Sequence, residues 1–163
     1  MINFHFFGMD FKTQVETLLQ AALDENPSLF LIALHIGANH AIKIVIDGDT
    51  GVSLQECMRV SRAIEHNMDR EEHDFSLEVT SAGVGEPLTM IRQYKKNVGR
   101  KLEVTDTEGA VYTGKLEKAS EETLSLSWKQ REPKPSGKGK ITVSKTKELA
   151  YDAVSRAKII VQF

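Results

Sequence analysis

Apolar positions along the chain recur at two spacings, and the change from one to the other marks out its elements. Phe11, Val15, Leu18, Leu19, Ala22 and Leu23 lie three and four residues apart, behind an Asp10 suited to cap a helix. ENP at 25–27 ends that helix. SLFLIALHI at 28–36 is a strand candidate, GANH at 37–40 is a turn, and Ile42, Ile44 and Ile46 alternate through AIKIVID at 41–47. The two strands should therefore form a hairpin. Gly48 and Gly51 permit a tight turn, after which Ser53 and Glu56 read as a capping box and Val52 with Cys57 as its hydrophobic staple. Leu54, Cys57, Met58, Ser61, Ile64 and Met68 supply one face of the following helix, and Arg59, Arg62 and His66 another. Phe75, Leu77 and Val79 alternate in a third strand. The order αββαβ predicts a small sheet covered by two helices.

The pattern breaks at Ala82, Gly83, Val84, Gly85 and Pro87. Beyond the break, Pro87 and Gly99 bracket a helix in LTMIRQYKKNV, with Leu88, Ile91 and Val98 on its apolar side. Short strands follow in RKLEVTD, AVYTGKLEKA, TLSLSW, KITVS and AKIIVQF. Gly114 inside the second of these predicts a bend or bulge. KQREPKPSGKGK at 129–140 reads as a mobile basic loop. Five short strands with a glycine bend predict a small β-barrel of the SH3 or Sm type. The expected class is α+β: a dispensable extension at 1–9, an αββαβ domain at 10–82, a linker at 83–87 and the barrel at 88–163. Ala82, Gly83, Gly85 and Pro87 are the expected interdomain hinge.

Charge sharpens this division. The 163 residues carry a net charge of −2, but residues 1–87 hold 5 Lys+Arg against 14 Asp+Glu and residues 88–163 hold 16 against 9. The halves therefore stand at −9 and +7, which points to a basic half that meets polyanions or acidic partners. Arg92, Lys95, Lys96, Arg100 and Lys101 cluster within ten residues, and Lys115, Lys118 and the lysines of 129–140 add to them. Such a set can neutralise phosphates. Tyr94, Tyr112, Tyr151 and Trp128 are better placed for a core than for base stacking, so structured RNA backbone, or an RNA–protein surface, fits better than single-stranded bases. The helix dipole also favours Lys95 and Lys96 in a last turn, which alone would account for both.

Other chemistry finds little support. The single cysteine, Cys57, excludes an internal disulfide and reads as the core residue of an intracellular protein. The five histidines have no Cys or carboxylate at ligand spacing, so no metal site is expected. DGDTG at 47–51 is out of register for a calcium loop, and GVG at 83–85 is too short for a nucleotide fingerprint. No nucleophile, base and orienting group come together, so no catalytic residue and no cofactor are expected. The longest apolar run, LFLIALHIG at 29–37, is too short to cross a membrane, and the N-terminus lacks a signal-peptide pattern.

Taken in order, these segments resemble the ribosome maturation factor RimP family over residues 10–163. The resemblance rests on Gly51, Val52, Cys57, Val60, Ser61, Arg62 and Asp69 within VIDGDTGVSLQECMRVSRAIEHNMD, on LEVTSAGVGEPL, and on VGRKLEV, YTGKL and RAKIIVQF. Ala82 stands where the family has proline, and Gly85-Glu86 where it has Asp-Arg, so position 86 is not taken as a contact. The resemblance implies a KH-like αββαβ domain followed by an Sm-like barrel. It also implies a cytoplasmic, non-enzymatic bacterial factor that binds the immature small ribosomal subunit late in assembly. Its partners would be rRNA and a basic small-subunit ribosomal protein near the decoding region, with no membrane and a monomeric state. Arg59, Arg62 and the basic cluster are the candidate contacts. The rivals are a general Sm-like RNA-binding adaptor, which would form rings, and a small hydrolase using Cys57 or a histidine.

Overall fold

The computed structural model describes residues 8–83 and 85–161; the proposed extension lies outside the described residues up to position 7. One compact unit ends at Ala82 and a second begins at Gly83.

The first unit begins with α1, Phe11–Asp24, capped by Asp10, whose Oδ1 accepts the Thr13 N–H at 2.7 Å. Hydrogen bonding from the Thr13 side chain, with that backbone bond, holds the Asp10 carboxyl below its ordinary range. β1, Leu29–Ile36, pairs antiparallel with β2, Ala41–Gly48, as the alternation predicts. The turn between them places Asn39 and His40 at φ 58° and 55°, unusual for residues with side chains. The His40 ring stacks on Phe11 with centroids 4.1 Å apart, which anchors the turn to α1. α2 spans Leu54–Glu65, and β3, Ser76–Ser81, lies parallel to β2. The resulting sheet has the order β1-β2-β3.

The helical spacing of α1 predicts its buried face correctly: Val15, Leu18, Leu19, Ala22 and Leu23 pack against Ile42, Ile44 and Ile46. Each such fully buried aliphatic side chain contributes roughly 1.5–3 kcal/mol. α2 differs from expectation. Its buried face is Cys57, Val60 and Ile64, whereas Leu54 and Met58 are 73% and 41% exposed. The helix also stops before Met68, because His66 and Asn67 turn back on the last carbonyls, through the His66 N–H to Arg62 O and Asn67 Nδ2 to Ala63 O. The capping box forms by half. Ser53 Oγ accepts the Glu56 N–H at 3.1 Å, but the Glu56 carboxylate is engaged by Arg59 and Asn26.

The second unit opens with α3, Ile91–Lys96, shorter than the predicted helix. The Gln93 side chain accepts the N–H groups of Thr89 and Met90, which fixes the start past Pro87. Val98, expected on the apolar side, is 47% exposed. The strands are β4 (Lys101–Asp106), β5 (Val111–Ala119), β6 (Thr123–Pro133), β7 (Lys140–Ala150) and β8 (Val154–Ile159). They form one antiparallel sheet in the order β7-β6-β5-β4-β8.

The expected barrel does not close: among the described residues no pairing joins β7 to β8. The sheet nevertheless folds round one core, since Leu149 of β7, Ala157 of β8 and Tyr94 of α3 share a cluster with Leu102, Val104, Leu116, Leu124 and Leu126. Burial pushes the Tyr94 hydroxyl up to about 12. Half of the mobile loop expected at 129–140 is strand, and only 134–139 connect the two strands as a loop. Residues 129–133 continue β6, and their partners in β7 begin at Lys140. Pro and Lys content misled there because cross-strand pairing, not composition, orders the segment. The bulge lies between Leu116 and Lys118 rather than at Gly114. Gly114 serves a close approach instead: a Cβ there would sit 2.5 Å from Ser127 O, so only glycine lets β5 meet β6.

Candidate nucleic-acid interface

Alternation along β4, β5 and β6 sends Leu102, Val104, Leu116, Leu124 and Leu126 inward and the residues between them outward. The register then sets Lys101 directly opposite Lys115, and Lys115 opposite Ser127. Like charges facing each other across strands are destabilising unless something negative covers them. Together with Gly99, Thr113, Gly114, Trp128 and Lys129 these residues line a broad concavity of about 440 Å³. Three ammonium groups, two hydroxyls and exposed backbone converge on it. That is a donor set for anionic oxygens. Carboxylates on this face are already engaged. Glu103 lies 3.8 Å from Lys158, and Glu117 accepts from Ser127 Oγ at 2.6 Å and lies 3.9 Å from Lys115 Nζ.

The basic cluster of 92–101 does not stay together in space. Lys101, Lys115 and Lys118 belong to the outer face, with Lys118 opposite Ser125. Arg92, Lys95 and Lys96 ride on α3, whose Tyr94 sits in the core on the other side of the sheet. Lys95 pairs with Glu121. Arg100 is exposed just before β4. Lys129, expected among the lysines of a loop, stands in β6, and that strand position brings it beside Lys101 and Lys115.

In the first unit Arg59 has an internal task. Its Nη1 donates to Ala22 O at 3.0 Å and to Glu25 at 2.7 Å, and its Nη2 to Glu56 at 3.0 Å, which ties α2 to the end of α1. Arg62 is exposed on α2. Cys57 is buried, and desolvation raises its thiol above the usual range, with Glu56 adding to the shift. Such a thiol is a poor nucleophile. Among the described residues no three His, Cys, Asp or Glu side chains are placed to hold a metal ion, and no helix is long and apolar enough to cross a membrane.

At the nominated hinge, the Ala82 N–H extends the sheet by bonding Ile46 O at 3.1 Å. The Glu86 N–H closes a turn on Gly83 O at 3.2 Å, with Gly85 at φ 84°. Pro87 is exposed, and Leu88 begins the contacts of the second unit through its N–H to Ala157 O at 2.8 Å.

An αββαβ unit followed by a curled antiparallel sheet with a cationic outer face defines a two-unit α+β protein. Residues 18–85 match the RimP N-terminal domain. The chain is 56% identical over 152 residues to the ribosome maturation factor RimP of Christiangramia forsetii, covering 93% of this chain and 99% of that protein. It is 47% identical to that of Flavobacterium psychrophilum, covering 95% and 100%, and 30% identical to that of Cytophaga hutchinsonii, covering 95% and 96%. The chain belongs to the RimP family.

Proposed function

We propose that this protein is a ribosome maturation factor that binds the immature small ribosomal subunit in the cytoplasm and assists its late assembly without catalysing a reaction. The observation that carries the reading is the match, over nearly the whole chain, to relatives named as ribosome maturation factors. The physical chemistry supports it. The second unit, Sm-like in this reading, offers rRNA a face of cations whose carboxylates are already engaged. The first, KH-like in this reading, carries the negative charge that would attract a basic small-subunit ribosomal protein near the decoding region. Arg62 is the better-placed contact on α2, because Arg59 is held by Glu25, Glu56 and Ala22. Residues 82–87 would act as the joint between the two grips.

Cosedimentation with immature and mature small subunits at two salt concentrations tests this. Preferential, salt-sensitive binding to the immature particle is the expected result; equal neglect of both particles would overturn it. The exposed sheet ends at β7 and β8 favour one alternative, an Sm-type adaptor that assembles by edge pairing. A monomer on a sizing column excludes that alternative, whereas a stable ring would favour it.

A further inference from the structure

β5 supports β6 only from Leu124 to Ser127. Beyond that point β6 and β7 pair with each other alone, from Trp128 opposite Lys145 to Pro133 opposite Lys140. Six residues of strand make a two-stranded ribbon of about 20 Å, and such a ribbon is marginal in water without further support. One face supplies a chain of side-chain contacts. Trp128 Nε1 donates to Gln130 Oε1 at 3.0 Å, Gln130 Nε2 donates to Glu132 Oε1 at 2.6 Å, and Lys145 Nζ lies 2.8 Å from the same carboxylate. Lys145 and Gln130 hold the Glu132 carboxyl below its ordinary range, so it stays ionised. Glu132 is the sole carboxylate between 128 and 145, and it is consumed on this face.

The opposite face is different in kind. The register places Lys129 with Ser144, Arg131 with Thr142, and Pro133 with Lys140, all exposed. Arg131 is laid along the ribbon by its bonds to Thr142 Oγ1 at 3.1 Å and Lys140 O at 3.2 Å, which orients the guanidinium and leaves donors to spare. Lys129 also lines the concavity of Lys101 and Lys115, so the two surfaces are continuous. No aromatic and no large aliphatic side chain stands on this face. It therefore lacks the buried anchor that a protein partner needs and the platform that a base would stack on.

We propose that the outer face of the β6–β7 ribbon is a track for an RNA phosphodiester backbone, with Lys129, Arg131 and Lys140 as its phosphate contacts. The proposal rests on the reading that this protein binds ribosomal RNA and specifies which surface does so. The test uses the full-length protein with all three positions changed to Glu, followed by cosedimentation with immature small subunits and by binding to an end-labelled RNA duplex over a salt series. Losing three phosphate contacts should weaken duplex binding at moderate salt by on the order of tenfold to hundredfold and flatten the log–log salt slope by about 2 to 3. An unchanged thermal midpoint would show that the inner ladder survives. If the wild type binds immature subunits and the triple variant binds them and the duplex with the same affinity and slope, the track is refuted while the broader function stands. If the wild type binds neither, the broader reading has failed. A poly-glutamate peptide that competes as well as the duplex would also overturn the proposal, since charge alone would then explain the face.

Discussion

The two units differ in how fully they engage their cations. In the first, Arg59 is spent on Glu25 and Glu56, Arg70 on Glu65, Asp74 and the Phe75 carbonyl, and Lys12 on Glu16. In the second, ion pairs engage Lys95, Lys115, Lys145 and Lys158, while Lys101, Lys129, Arg131 and Lys140 line one outer face with no carboxylate partner among the described residues. A charge count sees only totals. Whether a cation is available depends on which carboxylate the fold brings beside it: Glu103 and Glu117 are engaged by Lys158, Lys115 and Ser127, and Glu132 by Lys145 on the other face of the ribbon.

The cores differ too. The first unit covers one face of three strands with two helices; the second encloses a smaller cluster with its own sheet and one short helix. The largest expected effects come from breaking each core. Leu116→Ala and Ile44→Ala, both at fully buried positions, should each cost about 2–5 kcal/mol. Leu116→Ala can be followed by the fluorescence of Trp128, the one tryptophan of the chain, which packs against the second core. Ile44→Ala needs backbone circular dichroism, because the first unit has no such probe.

Next comes Gly114→Ala. The new Cβ would meet Ser127 O, and the strain should cost about 1–3 kcal/mol. Weakened RNA binding in that variant at a temperature where it remains folded would tie the β5–β6 approach to the concavity it shapes. Arg59→Met is expected to cost about 1 kcal/mol in a urea titration, given its partly exposed pairs. Immature-subunit binding should be unaltered, and a clear loss would return Arg59 to the contact surface. Lys95→Glu with Lys96→Glu, on α3, should weaken subunit binding less than the triple ribbon variant does. An equal or larger loss would move the interface to the helix side.

The smallest effect concerns acid. The hydrogen bond from Arg59, aided by Asn26, lowers the folded pKa of Glu56 below the ordinary 4.5. Its contribution is therefore complete above that ordinary value and is lost as pH falls through the lowered one. Arg59→Met should flatten the acid limb of urea midpoints measured against pH. Wild-type and variant curves that stay parallel from neutral pH to below 4.5 would remove Glu56 as the cause.

The order and type of the elements in both units were legible in the chain. So were the buried face of α1, the β1–β2 hairpin, the place where one unit gives way to the next, and the cationic bias of the second half. These follow from spacing along a single segment, which helical and strand periodicity convert directly into faces. What spacing could not convey is which separate segments meet. Val60 rather than Met58 faces the core because of how α2 lies on its sheet. Residues 129–133 are strand because 140–144 lie opposite them. Arg59 is bound because the end of α1 carries Glu25 to it. The cations of 92–101 part company because α3 lies on the core side of a sheet whose outer face holds Lys101. Sequence determined the pieces and their charge; pairing across long loops decided which charges are left for a partner, because a side chain's neighbours are set by register and packing rather than by its place in the chain.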